Sequence, residues 1–288
     1  VSTGFGARLA AAMDDHGPLC VGIDPHASLL DAWGLPDDAD GVRELGLRVV
    51  EAVGGRVAAV KPQAAFFERH GSRGVAALED VIAAARAAGT LVVVDAKRGD
   101  IGSTMDAYAE AFLRDGSPLA GDALTVSPYL GFGSLAPAVD LALSSGRGLF
   151  VLCLTSNKEG HEVQHARTLT TDGRPDGPSV SAAMAAHAAV LNQGAEPMGS
   201  VGLVVGATVG DAAARTGTDL TAVNGPLLAP GVGAQGAGER ELATVFGEAR
   251  RQVLASSSRG VLRAGPDVDA LRAAARSATD EVARALRG

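Results

Sequence analysis

The segment VVVDAKRGDIGST, Val92 to Thr104, carries an apolar run straight into charge. Asp95, Lys97 and Arg98 follow the valines at once, and Asp100 stands two residues later. Side chains two apart on an extended strand share a face. Asp95 and Lys97 therefore project into one space, Ala96 points away, and Asp100 lies past the strand end, where the chain turns at Gly99. A lysine beside carboxylates is held as an ammonium, because opposite charges favour the charged form. Lys97 thus reads as a fixed cation and proton donor, not as a free-amine nucleophile. Asp95 adds a second constraint. Set about 4 Å from an anionic substrate group at an effective dielectric near 20, it would raise that group's energy by roughly 4 kcal/mol. Loss of carbon dioxide from a substrate carboxylate relieves that cost. The carbanion left behind would face an ammonium able to stabilise and protonate it. The plainer alternative is a salt bridge that only ties strand ends together.

Such charges need a frame that brings several strand ends to one place. Eight short β-rich runs recur: residues 19–24, 57–62, 91–97, 122–128, 148–156, 202–208, 227–232 and 252–258. Most are continuously apolar, as parallel strands covered on both faces are. Amphipathic segments separate them. DDADGVRELGLRVVEAVG has helical spacing; SRGVAALEDVIAAARAAG opens on a serine cap and stops at Gly89; STMDAYAEAFLRDG follows the charged motif; SVSAAMAAHAAVLNQ and the C-terminal DVDALRAAARSATDEVARALR, with Asp267 as N-cap, complete the set. The alternation predicts an α/β fold, a (β/α)8 TIM barrel formed as one domain over residues 1–288, with a doubly wound open sheet as the competing architecture. Residues 155–178 and 231–241 read as loops.

In a barrel the C-terminal strand ends share one rim. Reading only those ends collects Asp24 from GIDPH, Lys61 from VKPQ, the Asp95–Lys97 pair, Ser127 from TVSPYLG, Gln235 just beyond PGVGAQG, and Arg259 from SSSRG. The glycine-rich PGVGAQGAG and the neighbouring arginine form a candidate phosphate site, since loop N–H groups and a guanidinium both hold anions. His26 reads as solvated, the His161/His165 pair as lacking a third metal ligand, and Trp33 as packing under a loop.

Bulk properties agree with a soluble globular protein. Of 288 residues, 47% are apolar and only 3% aromatic, so alanine, valine and leucine must fill the core. A net charge of −8 disfavours nucleic acid as a partner. Cys20 and Cys153 each sit in an apolar run and read as buried thiols, suited to a reducing cytoplasm. The opening VSTGFGARLAAAMDD lacks the pattern of a signal peptide, and no apolar run approaches a membrane span.

From FGARL and CVGIDP through VKPQAAFFE, VVVDAKRGDIGST, TVSPYLG and LTSN to APGVGAQG and SSSRG, the chain resembles the orotidine 5'-phosphate decarboxylase family, in its longer, bacterial-type branch. The resemblance spans essentially the whole chain. It implies conversion of orotidine 5'-phosphate to UMP, the last step of de novo pyrimidine nucleotide synthesis, without metal or organic cofactor. It implies that Asp24 and Lys61 contact the ribose, Asp95 sits by the substrate carboxylate and Lys97 protonates C6. Ser127 would hydrogen-bond the pyrimidine, and Gln235 and Arg259 would bind the phosphate. Asp100 and Thr104 would reach into the neighbouring site of a homodimer. Other readings of the residues remain open: a Schiff-base aldolase using Lys97, a magnesium-dependent sugar-phosphate decarboxylase or synthase, and a non-catalytic nucleotide binder.

Overall fold

The computed structural model describes residues 4–170, 172–233 and 236–287. Eight strands, β1 (Leu19–Ile23), β2 (Ala59–Pro62), β3 (Leu91–Arg98), β4 (Ala123–Val126), β5 (Gly148–Leu154), β6 (Val201–Val205), β7 (Leu227–Pro230) and β8 (Val253–Ser257), pair in parallel and close into a barrel in chain order. β8 closes it on β1 through Leu19↔Ala255 and its neighbours. A helix follows each strand, from Ala39–Val53 after β1 to Val268–Arg287 after β8. The eight apolar runs are these eight strands. They are buried along nearly their whole length because each has two covered faces.

The two faces make two cores. Outward side chains such as Val21, Val94, Leu124, Val151 and Leu203 pack under the helices. Inward ones, among them Cys20, Ala59, Val93, Ala123, Phe150, Leu228 and Leu254, fill the barrel. The interior mixes sizes: where Gly148 and Gly202 carry no side chain, Phe5 and Phe150 take the room. A Cβ on Gly148 would lie 2.1 Å from the Phe5 ring. Phe5 opens the helix Phe5–His16, which lies outside the strand-helix alternation and closes the barrel from below, its ring edge-on to Phe150 at 5.9 Å.

Helix starts follow tertiary contact more than local sequence. Ser72 does not cap: the helix is Gly71–Ala87, with His70 at the cap position and no side-chain cap bond. Its first turn lies hard against the short helix Ala64–Glu68, where a Cβ on Gly74 would meet the Phe67 carbonyl oxygen at 1.9 Å. Ser179 and Asp267 do accept cap bonds, from Ala182 N and Ala270 N. The 155–178 stretch holds helical turns at Lys158–Gly160 and His161–Gln164, and helix Glu239–Phe246 begins inside the stretch read as loop. Trp33 is buried and donates to Leu262 O at 3.0 Å, so it packs against the turn after β8. Among the described residues no helix is long and apolar enough to cross a membrane.

Phe5 supplies the stability test. Phe5→Ala should lower the unfolding free energy by about 3–5 kcal/mol through the lost burial and the cavity left behind. Urea denaturation measures it, and an unchanged midpoint would show that the ring does not seal the barrel.

Candidate active site

β2 and β3 place the charged centre. Lys61 rises from β2 and Asp95 from β3, and both side chains are only 7% exposed. Lys61 Nζ donates to Asp95 Oδ2 at 2.6 Å, and Lys97 Nζ to Oδ1 at 2.6 Å. The Thr125 hydroxyl on β4 also donates to Oδ1, at 2.8 Å. The Gln63 amide, turned with its NH2 toward the carboxylate, donates to Oδ2 at 2.5 Å and accepts from Lys97 Nζ at 3.3 Å. Each carboxylate oxygen thus receives two donors, which fills its acceptor capacity.

The electrostatics follow from this packing. Burial alone would push the Asp95 carboxyl up; the charges of Lys61 and then Lys97, with their hydrogen bonds, overcome it and bring it down to about 2. Burial alone would likewise pull the Lys61 ammonium down, but Asp95 and Asp24 hold it above its ordinary value. Cys20, on the barrel interior near these charges, is pushed up to about 12 chiefly by burial, so it stays a thiol.

Lys97 reaches the cavity by an irregular backbone. Val94 pairs with Leu124, but the next pair is Arg98 with Val126, so Asp95, Ala96 and Lys97 lie opposite Thr125 alone. Such a bulge re-aims a strand end. Lys97 has φ 49, a left-handed conformation rare for a side chain of this size. Arg98 then turns to the helical layer, pairs with Glu68 and lies over the rings of Tyr108 and Phe112 at 5.5 and 5.2 Å.

A cavity of about 780 Å³ opens over this centre. Asp24, Lys61, Asp95 and Lys97 line it, with Leu152, Val204 and Leu228 also in its wall. So do the β7 and β8 ends: Gly231–Gly233, Gly236 and residues 256–260, including Arg259. Asp24 Oδ1 is buried yet accepts no hydrogen bond among the described residues, while Lys61 Nζ is 3.9 Å away. It is an acceptor waiting for a donor. Arg259 is exposed on the cavity wall and forms no ion pair among the described residues, so its guanidinium is available to an anion. In the glycine-rich loop, Gly233 N, Gly236 N and Ala237 N are spent on loop carbonyls, which leaves fewer N–H groups for a ligand than its composition suggests. Gln235 lies outside the described residues.

Three expected residues stand apart from this cavity. Asp100 accepts from Ile101 N at 2.8 Å, and Thr104 is exposed on helix Gly102–Leu113; neither lines the cavity of its own chain. Ser127 does not line it either. β4 ends at Val126, and Ser127 falls in a turn whose N–H bonds Arg98 O at 2.7 Å. A Cβ on Gly99 would meet the Ser127 carbonyl oxygen at 2.4 Å, so only glycine fits that crossing. The hydroxyls that do line the cavity are Thr125, Thr155, Ser156 and those of the β8 end. Thr125 and Gln63 escaped the sequence reading, although their position one strand from Asp95 was a usable signal. His26 is exposed at the cavity edge against Phe66. His161 and His165 lie 6.5 Å apart, ring to ring, and no cluster of three metal-ligating residues exists among the described residues.

A parallel barrel whose rim sets an ammonium against a buried carboxylate, with an arginine across the same cavity, defines a class: TIM-barrel enzymes acting on phosphorylated, anionic small molecules. The particular family follows from comparison. Residues 17–274 match the model of the Orotidine 5'-phosphate decarboxylase / HUMPS family, and the chain belongs to that family. An orotidine 5'-phosphate decarboxylase of Streptomyces coelicolor is 65% identical over 271 residues, 94% of each chain. A solved Streptomyces avermitilis structure superposes with TM-score 0.92 at 63% identity, over 100% of this chain and 97% of that one. The structure of Leishmania donovani OMP decarboxylase gives TM-score 0.73 at 33% identity, over 99% of this chain and 100% of its own. The reaction is the decarboxylation of orotidine 5'-phosphate to UMP, a carboxy-lyase step of pyrimidine biosynthesis.

The depressed Asp95 carboxyl predicts a pH signature. A group lowered from 3.8 to about 2 contributes stability that is present above its unfolded value and lost as pH falls through its folded one. The contribution is on the order of 2 kcal/mol. The stability difference between wild type and Asp95→Asn should be largest above about pH 4 and shrink toward pH 2. Denaturant unfolding across that range tests it; a difference independent of pH would remove the depressed carboxyl.

Proposed function

We propose that decarboxylation proceeds by metal-free carbanion chemistry on the Asp95–Lys97 pair. One observation carries this reading: Asp95 is a buried carboxylate with both oxygens already doubly hydrogen-bonded, and Lys97 Nζ is one of the four donors. Asp95 then acts as a fixed negative charge, since it has no acceptor site left for a proton. Beside the substrate carboxylate it disfavours the bound ground state, by roughly 4 kcal/mol at about 4 Å. When the bond from C6 to the carboxylate breaks, the electron pair stays on C6. The Lys97 ammonium stabilises that charge and transfers its proton to C6. Lys97 becomes a neutral amine and regains its proton from solvent.

The remaining contacts follow the cavity. Asp24, with its unused buried oxygen, and Lys61 take the ribose hydroxyls. Arg259 binds the phosphate, together with Gln235. The Thr155 and Ser156 hydroxyls, placed on the cavity wall, suit the pyrimidine better than Ser127. Asp100 and Thr104 serve the site of a second subunit in a homodimer. Three large apolar side chains near them, Ile101, Tyr129 and Leu130, are 62%, 76% and 54% exposed, a surface that a second copy would cover. Free buried thiols at Cys20 and Cys153 fit a cytoplasmic enzyme.

Loss of orotidine 5'-phosphate absorbance tests the centre. Lys97→Ala should lower kcat by about 10²- to 10⁴-fold, the usual worth of a positioned proton donor; retained turnover would refute the role. Subunit mixing tests the shared site. Lys97→Ala and Asp100→Ala enzymes, each inactive, should regain about a quarter of wild-type activity when mixed, since half the dimers would hold one intact site. Heterodimers without activity would return Asp100 to its own subunit.

A further inference from the structure

We infer that Thr125 is the positioning residue for the proton-donating lysine: its hydroxyl ties the backbone root of Lys97 to the carboxylate that holds the tip. The inference rests on the reading of Lys97 as proton donor.

The bulge in β3 creates the need. With Asp95, Ala96 and Lys97 all opposite Thr125, the ladder to β4 is interrupted, and the Lys97 N–H has no backbone acceptor across the strand pair. A part-buried N–H left without a partner is costly. Thr125 Oγ1 accepts it at 3.0 Å. The same hydroxyl has one proton to give, and gives it to Asp95 Oδ1 at 2.8 Å. That oxygen is also the acceptor of Lys97 Nζ, at 2.6 Å. The lysine is therefore held at both ends by one short loop of contacts: backbone nitrogen, threonine hydroxyl, aspartate oxygen, ammonium.

Two further features make this a functional device instead of an ordinary buried threonine. Lys97 sits at φ 49, and a left-handed non-glycine residue costs about 1–3 kcal/mol unless its surroundings impose it. The Thr125 hydroxyl is the side-chain group that imposes it, from a residue 1% exposed. The Lys97 side chain itself is 44% exposed, so packing does little to fix it. Its aim depends on where its backbone starts and where its carboxylate partner stands, and the Thr125 hydroxyl contacts both. The methyl group of Thr125 has no part in this, which separates hydroxyl from shape.

The test compares Thr125→Val, which keeps shape and loses the hydroxyl, with Thr125→Ser, which keeps the hydroxyl. Misplacing a reacting group by about 1 Å can cost on the order of 10²-fold. Thr125→Val should lower kcat by about that factor with KM changed less than about threefold, because ribose and phosphate contacts lie elsewhere. Thr125→Ser should return kcat to within about fivefold of wild type. Val activity within about twofold of wild type, or equal damage in Ser and Val, would overturn the inference. If Thr125→Val fails to fold, Thr125→Ala against Thr125→Ser carries the same comparison, with the same split expected and equal loss overturning it. Lys97→Ala assayed alongside separates the two claims: if it is inactive while Thr125→Val is intact, only the positioning role fails; if it is active, the proton-donor reading fails.

Discussion

The structure turns on one buried charge. Asp95 stands where a carboxylate is stable only if it is paired, and two lysines from different parts of the rim pair it. Lys61 is equally buried and depends on the same contact. Removing one partner of such a pair strands the other, so β2 and β3 are bound together by more than their short ladder of Ala59↔Leu91 and Val60↔Val92. The barrel below supplies what the charges require: an apolar, filled interior on which the rim residues are fixed, and a mouth on which they converge. Stability and chemistry are thereby spent in different layers. The inward ring of Cys20, Ala59, Val93, Phe150 and Leu254 is apolar, while the next inward positions, Lys61, Asp95, Thr125 and Ser256, are polar.

Much of this was legible in the sequence, for identifiable reasons. Strands buried on two faces must be written as unbroken apolar runs, and all eight could be read directly. The neighbourhood of Asp95 and Lys97 was legible from a spacing of two. The backbone reached that neighbourhood by another route, through a bulge and a left-handed lysine, which spacing cannot express. Thr125 was hidden because a β-branched residue in DALTVSP is what any strand would use. Its partners lie 28 and 30 residues away in the chain. Ser127 stands off the cavity wall because a strand's last residue decides which side chain meets the mouth. β4 stops at Val126, whereas β5 runs to Leu154 and brings Thr155 and Ser156 forward. Asp100 and Thr104 line no part of their own chain's cavity, so the role proposed for them rests on a second copy, which one sequence does not describe.

Arg98 shows how neighbouring charges in one short motif divide their work. Lys97 turns into the cavity, and Arg98 turns out, to Glu68 and the faces of Tyr108 and Phe112. The outward arginine fastens the strand end to two helices and so anchors the point from which the inward lysine departs. Gly99 then allows β3 to cross the β4 turn, where a side chain of any size would strike the Ser127 carbonyl. Residues 97, 98 and 99 thus act as pointer, anchor and crossing.

The Phe5 plug has a consequence for traffic. Phe5, Leu9 and Phe150, all fully buried, fill the barrel beneath the charged layer and close its floor among the described residues. Nucleotide and carbon dioxide must use the same doorway. Under the proposed mechanism the gas is released deep, against Asp95, with the nucleotide between it and the solvent. Departure is therefore a queue: carbon dioxide slips past the bound product or waits for it, and whichever happens sets how often the reverse reaction is attempted before the doorway clears.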